Sequence, residues 1–176
     1  MRVLLDQGFP SPPGFKPADL DATIEYVPLI KFAPELSKVS TPDWMVILAA
    51  EKGGFDALAV DDQELKDNEL CLVALSFTAV SLVAWTQGID AVTGWAQLVA
   101  YMPKVAQRIG EVGPRIFLLP TVRIARGTGY INATDEVRRK AKEAGQSYPE
   151  LRRAAAKVMR AELTTRKRTD LGGPLP

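Results

Sequence analysis

Two short apolar runs in this chain stop abruptly at acids, and that pattern limits the fold more than any other feature. The first is Val3-Leu4-Leu5, which runs into Asp6. The second is Ala57-Leu58-Ala59-Val60, which runs into Asp61-Asp62-Gln63-Glu64. Runs this short and this apolar suit strands buried on both faces, the kind found in parallel sheets covered by helices. The carboxyl ends of such strands lie along one edge of the sheet, where ligands and metals bind. A carboxylate at that edge has no apolar reason for its position. Asp6 is therefore expected to join an acidic cluster supplied by the rest of the chain.

The remaining pattern supports a layered domain. Pro10, Pro12, Pro13 and Pro17 make the segment after the first strand a loop, because proline fixes φ and has no N–H to donate. Residues 24–32 read as a strand, with Pro28 marking an edge or a bend. Thr41-Pro42-Asp43 opens a helix: Thr41 can cap it, Pro42 suits its first turn, and Asp43 favours the positive end of its dipole. Gly53-Gly54 ends it. Residues 70–75 read as a further buried strand, and 80–85 as another strand or the lead into a helix. Asp90 can cap a helix whose Trp95, Leu98, Met102, Val105 and Ile109 fall on one face. Pro103 should kink or divide that helix. Arg115–Leu119 reads as the last strand. Strands alternating with helices predict a three-layer α/β/α fold with a mostly parallel central sheet over residues 1–122.

Residues 123–131, with Gly127 and Gly129, read as a linker. A C-terminal basic helical extension then occupies 132–170. Thr134 caps its first helix and Gly145 ends it, and the Ser147-Tyr-Pro-Glu150 capping box opens the second. The overall charge of +1 hides a division. Residues 1–122 carry 9 Lys/Arg against 15 Asp/Glu, a net −6, and residues 123–176 carry 13 against 6, a net +7. A basic tail on an acidic body points to a phosphate-bearing or otherwise acidic partner. The tail cations Arg138, Arg139, Lys140, Arg152, Arg153, Arg166, Lys167 and Arg168 are the candidate contacts for such a partner, or else the solvated face of an ordinary amphipathic helical pair packed on the domain.

The chain has no histidine, which excludes Ser-His triads, a histidine base and His-ligated zinc. Its single cysteine, Cys71, lies between leucines and reads as a core thiol. With no internal disulfide available, a cytoplasmic location is expected. No signal peptide is expected, because Asp6 interrupts the N-terminal apolar run. Residues 70–89 carry no charge and are about long enough to span a bilayer. Ser76, Thr78, Ser81, Thr86, Gln87 and Gly88 interrupt them, so no membrane span is expected.

Carboxylates brought together repel, and a hard divalent cation such as Mg²⁺ or Mn²⁺ resolves the repulsion through oxygen ligands. Bound beside a phosphodiester, such an ion activates water and steadies in-line attack without any histidine. Each acid also has a plain structural role. Asp6 can serve as a turn residue, Asp43 as a helix-start charge, and residues 61–64 as a solvated turn.

Three stretches together resemble the PIN-like nucleases, in particular their compact toxin-type members. They are Leu4-Leu5-Asp6-Gln7-Gly8-Phe9-Pro10, Ser40-Thr-Pro-Asp43-Trp-Met-Val-Ile-Leu-Ala-Ala-Glu51, and Leu58-Ala-Val-Asp61-Asp62-Gln63-Glu64-Leu65. The resemblance covers about residues 1–120 and implies a Mg²⁺-dependent endoribonuclease of the kind found as the toxin of a toxin–antitoxin pair. It makes Asp6 a direct metal ligand, Asp43 a water-bridged acid, Asp62 the principal acid of the second turn, and Glu64 the acid two residues on, with Asp61 as a neighbouring alternative. Asp6, Asp43 and Asp62 are its catalytic set. The partners it implies are RNA as substrate and an antitoxin-like protein; the tail cations from Arg138 to Arg168 would then be RNA-binding residues, and deleting residues 132–176 is expected to leave a folded body with weakened RNA affinity. A homodimer is a further expected partner.

Two other classes fit parts of the pattern. A catalytically inactive PIN-like interaction module would bind a partner protein or RNA, with Trp85, Trp95 and Tyr101 forming a contact surface, unless those residues fill the core. A receiver-like pocket would accept phosphate on Asp62. It calls for a lysine near the end of the last strand, where this chain has only Arg115 at the strand's start and Arg123 beyond it.

Overall fold

The computed structural model describes residues 1–7, 9, 23–38, 40–60, 65, 67–85, 91–109, 114–119 and 129–175. Among the described residues, six strands form one sheet: β1 (Arg2–Leu5), β2 (Glu25–Pro28), β3 (Ala57–Ala59), β4 (Ser81–Trp85), β5 (Arg115–Leu119) and β6 (Gly129–Asn132). Their order is β2-β1-β3-β4-β5-β6. The first five are parallel, and β6 pairs antiparallel with β5 as an edge strand. The helices are α1 (Leu29–Phe32), α2 (Asp43–Lys52), α3 (Glu69–Phe77), α4 (Ala91–Arg108), α5 (Ala133–Glu143) and α6 (Tyr148–Thr165).

Alternation along the strands divides the core into two layers of side chains, because successive residues of a strand point to opposite faces. Leu4, Leu58, Leu82, Ala84 and Ile116 face one way and meet α2, α3, α5 and α6. Val3, Leu5, Ala57, Ala59, Val83, Trp85, Phe117 and Leu119 face the other way and meet α4 through Trp95, Leu98, Met102 and Val105. Helices on both faces of a mostly parallel sheet make a three-layer α/β domain.

The segment 70–75, expected as a strand, is helical. The Asn68 side chain accepts from the Leu70 and Cys71 amides at 3.0 and 3.3 Å, capping α3, and Glu69 favours its first turn. Cys71–Leu75 are all buried, so the helix has no polar stripe whose period could reveal it. Residues 24–32 likewise split: β2 ends at Pro28, at the sheet edge, and α1 follows. The helix through Pro103 runs on as one element, α4, instead of dividing.

The end of the expected linker is β6, so β5 is not the last strand; residues 123–128 lie outside the described residues. Helix α5 is capped two residues earlier than expected, by Asn132, whose side chain accepts from the Thr134 and Asp135 amides. The capping box at Ser147 and Glu150 is present as expected. Both tail helices pack against α3, and Val137, Ala141, Leu151, Ala155, Met159 and Leu163 belong to the same apolar cluster as α2 and α3. A body that stays folded without residues 132–176 does not follow from this packing.

Arg2 pins the amino end of β1. Its guanidinium donates to the Gly53 carbonyl at 2.6 Å and to Glu25 at 2.9 Å and lies 4.4 Å from the Phe55 ring centre, while its amide donates to Asp56 at 2.7 Å. Gly53 sits so close to Phe32 and Phe55 that a Cβ there would lie 2.5 Å and 2.8 Å from their ring carbons. Among the described residues, no helix is long and apolar enough to cross a membrane.

Candidate active-site edge

Strand order places a topological switch between β1 and β3. The chain leaves β1 towards β2 on one side and leaves β3 towards β4 on the other, so the connections diverge above the carboxyl ends of these two strands. Diverging connections open a crevice, which is where open α/β sheets bind ligands. Asp6 stands at this point. Its amide donates to the Ala59 carbonyl at 3.0 Å, continuing the β1–β3 ladder one residue past the strand. Its own carbonyl accepts from the Phe9 amide at 3.0 Å, which turns the chain away from the sheet. Phe9 then anchors that turn. It is buried, with ring centres 5.4 Å from Trp85 and 5.1 Å from Trp95. Asp6 itself is half-buried, between a closed core on one side and exposed Gln7 on the other.

Asp43 is brought towards the same end by α2. The carboxyl end of α2 is tied to the amino end of β1 through Gly53 and Arg2. Ten helical residues rise about 15 Å from there. Asp43, the first residue of α2 and half-buried, therefore lies towards the carboxyl end of the sheet. Asp61, Asp62 and Glu64 lie outside the described residues. The residues that flank them, Val60 and Leu65, are both buried in the same apolar cluster, and the Val60 amide donates to the Val83 carbonyl at 2.9 Å. Among the described residues, no group of three or more His, Cys, Asp and Glu side chains comes together as a metal site. Cys71 is 1% exposed within α3, as expected of a core thiol.

Trp85 and Trp95 are core residues, 0% and 3% exposed, and Tyr101 is half-buried. They pack the α4 layer and do not form an exposed contact surface.

The eight tail cations divide by environment. Arg152 is a packing residue: its guanidinium lies 3.9 Å from the Phe77 ring centre and 5.1 Å from that of Tyr148, and it donates to the Ser76 carbonyl. Arg138 pairs with Asp135 at 3.0 Å and approaches Tyr148. Arg139 is held between Glu136 and Glu143; its hydrogen bond keeps the Glu136 carboxyl below the usual range. Arg166 pairs with Glu162 at 3.0 Å and donates to the Ser40 carbonyl at 3.1 Å. Arg168 pairs with Glu35 at 2.9 Å and with Asp170 at 3.1 Å. Lys140 is half-buried, and Arg153 and Lys167 are exposed. Among the described tail cations, Arg138, Arg139, Arg152, Arg166 and Arg168 thus already have acid, carbonyl or ring partners. Sequence reasoning passed over Lys38, which lines a groove with Arg166 and Arg168. Nothing local in the sequence announces that neighbourhood, because it forms only when the end of α6 docks beside the start of α2. No family model, curated protein or solved structure matches the chain.

Proposed function

We propose that this chain is a divalent-metal-dependent ribonuclease whose acids gather at the β1/β3 switch point. One observation carries the reading: Asp6 is hydrogen-bonded through its backbone to the end of β3, the strand that leads directly into Asp61 and Asp62. The donor chemistry fits a hard cation. The available ligands are carboxylate oxygens, the chain has no histidine, and its only thiol is buried in α3. Asp6, Asp62 and Glu64 would hold the ion, with Asp61 as an alternative ligand and Asp43 acting through water. A bound Mg²⁺ or Mn²⁺ supplies an activated water and neutralises charge on the phosphodiester. The protein's own part is positional. The Asp6–Ala59 bond fixes the carboxylate-bearing residue to the sheet, and buried Phe9 donates its amide to the Asp6 carbonyl.

The test is RNA cleavage by the full chain in Mg²⁺ or Mn²⁺ against EDTA, with Asp6→Asn and Asp62→Asn beside the wild type. Metal-dependent cleavage lost in both variants, with unchanged circular dichroism, is the expected result. Wild-type protein that cleaves no RNA across structured and single-stranded substrates would sink the reading.

A further inference from the structure

We infer that the groove between Lys38, Ser40 and Thr41 and the end of α6 is a binding subsite for a phosphodiester of a single RNA strand. The groove has a volume of about 350 Å³ and is lined by Glu35, Lys38, Ser40, Thr41, Arg166 and Arg168 among others. Three cations line it; Glu162, Glu35 and Asp170 pair with the two arginines, which leaves Lys38 as the cation of the lining with no ion pair among the described residues.

The two arginines are held in place by the protein itself. Arg166 is fixed by Glu162 and by the Ser40 carbonyl, and Arg168 by Glu35 and Asp170. A guanidinium has five N–H donors in a fixed fork, so those contacts leave donors on each for a further acceptor. Lys38 is exposed and has no ion-pair partner among the described residues. The Thr41 amide donates to its backbone carbonyl at 2.8 Å, which sets the turn that carries it. Ser40 and Thr41 add hydroxyls of the kind that contact phosphate. Thr41 lies two residues before Asp43, the first residue of α2, so the groove adjoins the positive end of that helix.

This inference rests on the ribonuclease reading for the identity of its ligand, but its test does not need cleavage. The measurement is fluorescence anisotropy of the full chain with a short, labelled 2′-O-methyl RNA in EDTA, over a range of salt. Each phosphate contact on a single strand contributes about 0.7 to the slope of log K against log salt, which is roughly fivefold in affinity at about 0.1 M salt. Lys38→Ala is expected to show both losses, Lys38→Glu a larger loss, and Lys31→Ala, on exposed α1, neither. Circular dichroism checks that the variants fold. Unchanged affinity and slope in Lys38→Ala overturn the subsite, as does wild type that binds no RNA. Equal displacement of the RNA by poly-glutamate also overturns it, by assigning the groove to acidic polypeptide. Binding that depends on Lys38 in a protein that never cleaves RNA upholds the subsite while the nuclease reading falls. Cleavage with a slope indifferent to Lys38 gives the converse.

Discussion

The Asp6 amide donates to the Ala59 carbonyl at 3.0 Å, so the first acid of the chain is locked in register with the strand that precedes Asp61 and Asp62. The hydrogen bond uses the backbone alone. Replacing the carboxylate by an amide therefore leaves it in place, and Asp6→Asn should fold as the wild type does. Even outer-shell changes at a metal site cost about 10–100-fold. On the proposed role of Asp6 as a direct metal ligand, Asp6→Asn should lower metal-dependent cleavage by at least about 100-fold. A thermal melt gives an independent check. Mg²⁺ at about 100 times its dissociation constant should stabilise the wild type by about 2.7 kcal/mol, and Asp6→Asn should remove that gain.

Asn68→Ala tests the helical state of 69–77. The substitution removes the acceptor of two amide hydrogen bonds at the start of α3. It should destabilise the protein by about 1 kcal/mol. Urea denaturation would read this as a lower midpoint with an unchanged slope. A strand at this position would leave stability unaltered.

Met159→Ala tests whether the tail is part of the core. Met159 is 0% exposed and lies in the cluster shared with α2 and α3. A cost of about 2–5 kcal/mol is expected in equilibrium unfolding. Removal of residues 132–176 should leave a chain that does not fold cooperatively. A soluble, cooperatively melting truncation would contradict the packing described for α5 and α6.

The clasp between Lys52, Asp170 and Arg168 has a defined pH dependence. Hydrogen bonds from Lys52 and then Arg168 lower the Asp170 carboxyl from 3.8 to about 2. A carboxyl lowered in the folded state adds stability above its unfolded value and loses it as pH falls through the folded one. The stability difference between wild type and Asp170→Asn should therefore be full above about pH 4 and fade towards pH 2. Asp170 is 42% exposed, so screening holds the difference to at most about 1 kcal/mol, and added salt should shrink it.

Much of this architecture is legible in the residues. The strands that end at Asp6 and at Val60, the helix opened by Asp43, the apolar face from Trp95 to Val105 and the Ser147 capping box all announce themselves by local pattern. Helix α3 does not, because a run buried on every side has no period, and a strand and a helix then look alike. Strand β6 begins at Gly129, inside the stretch that reads as a linker, and only its pairing with β5 reveals it. The surroundings of the tail cations are hidden for a different reason. Arg138, Arg139 and Arg152 already meet nearby acids, carbonyls and rings. Charge counts along a sequence register cations without registering what already satisfies them. The Asp6 edge could be anticipated because strand direction alone defines it. The groove at Lys38 could not, since it joins segments far apart in the chain.

The docking of α5 and α6 on α3 also bears on how the protein is made. During synthesis the sheet strands through β5 and the apolar α3 emerge before the helices that cover them. At about 5–20 residues per second, α3 stays uncovered for several seconds on the ribosome. That interval is a window for chaperone capture, and ribosomes stalled after β5 should display a nascent chain that binds hydrophobic chaperones until residues 133–165 have followed.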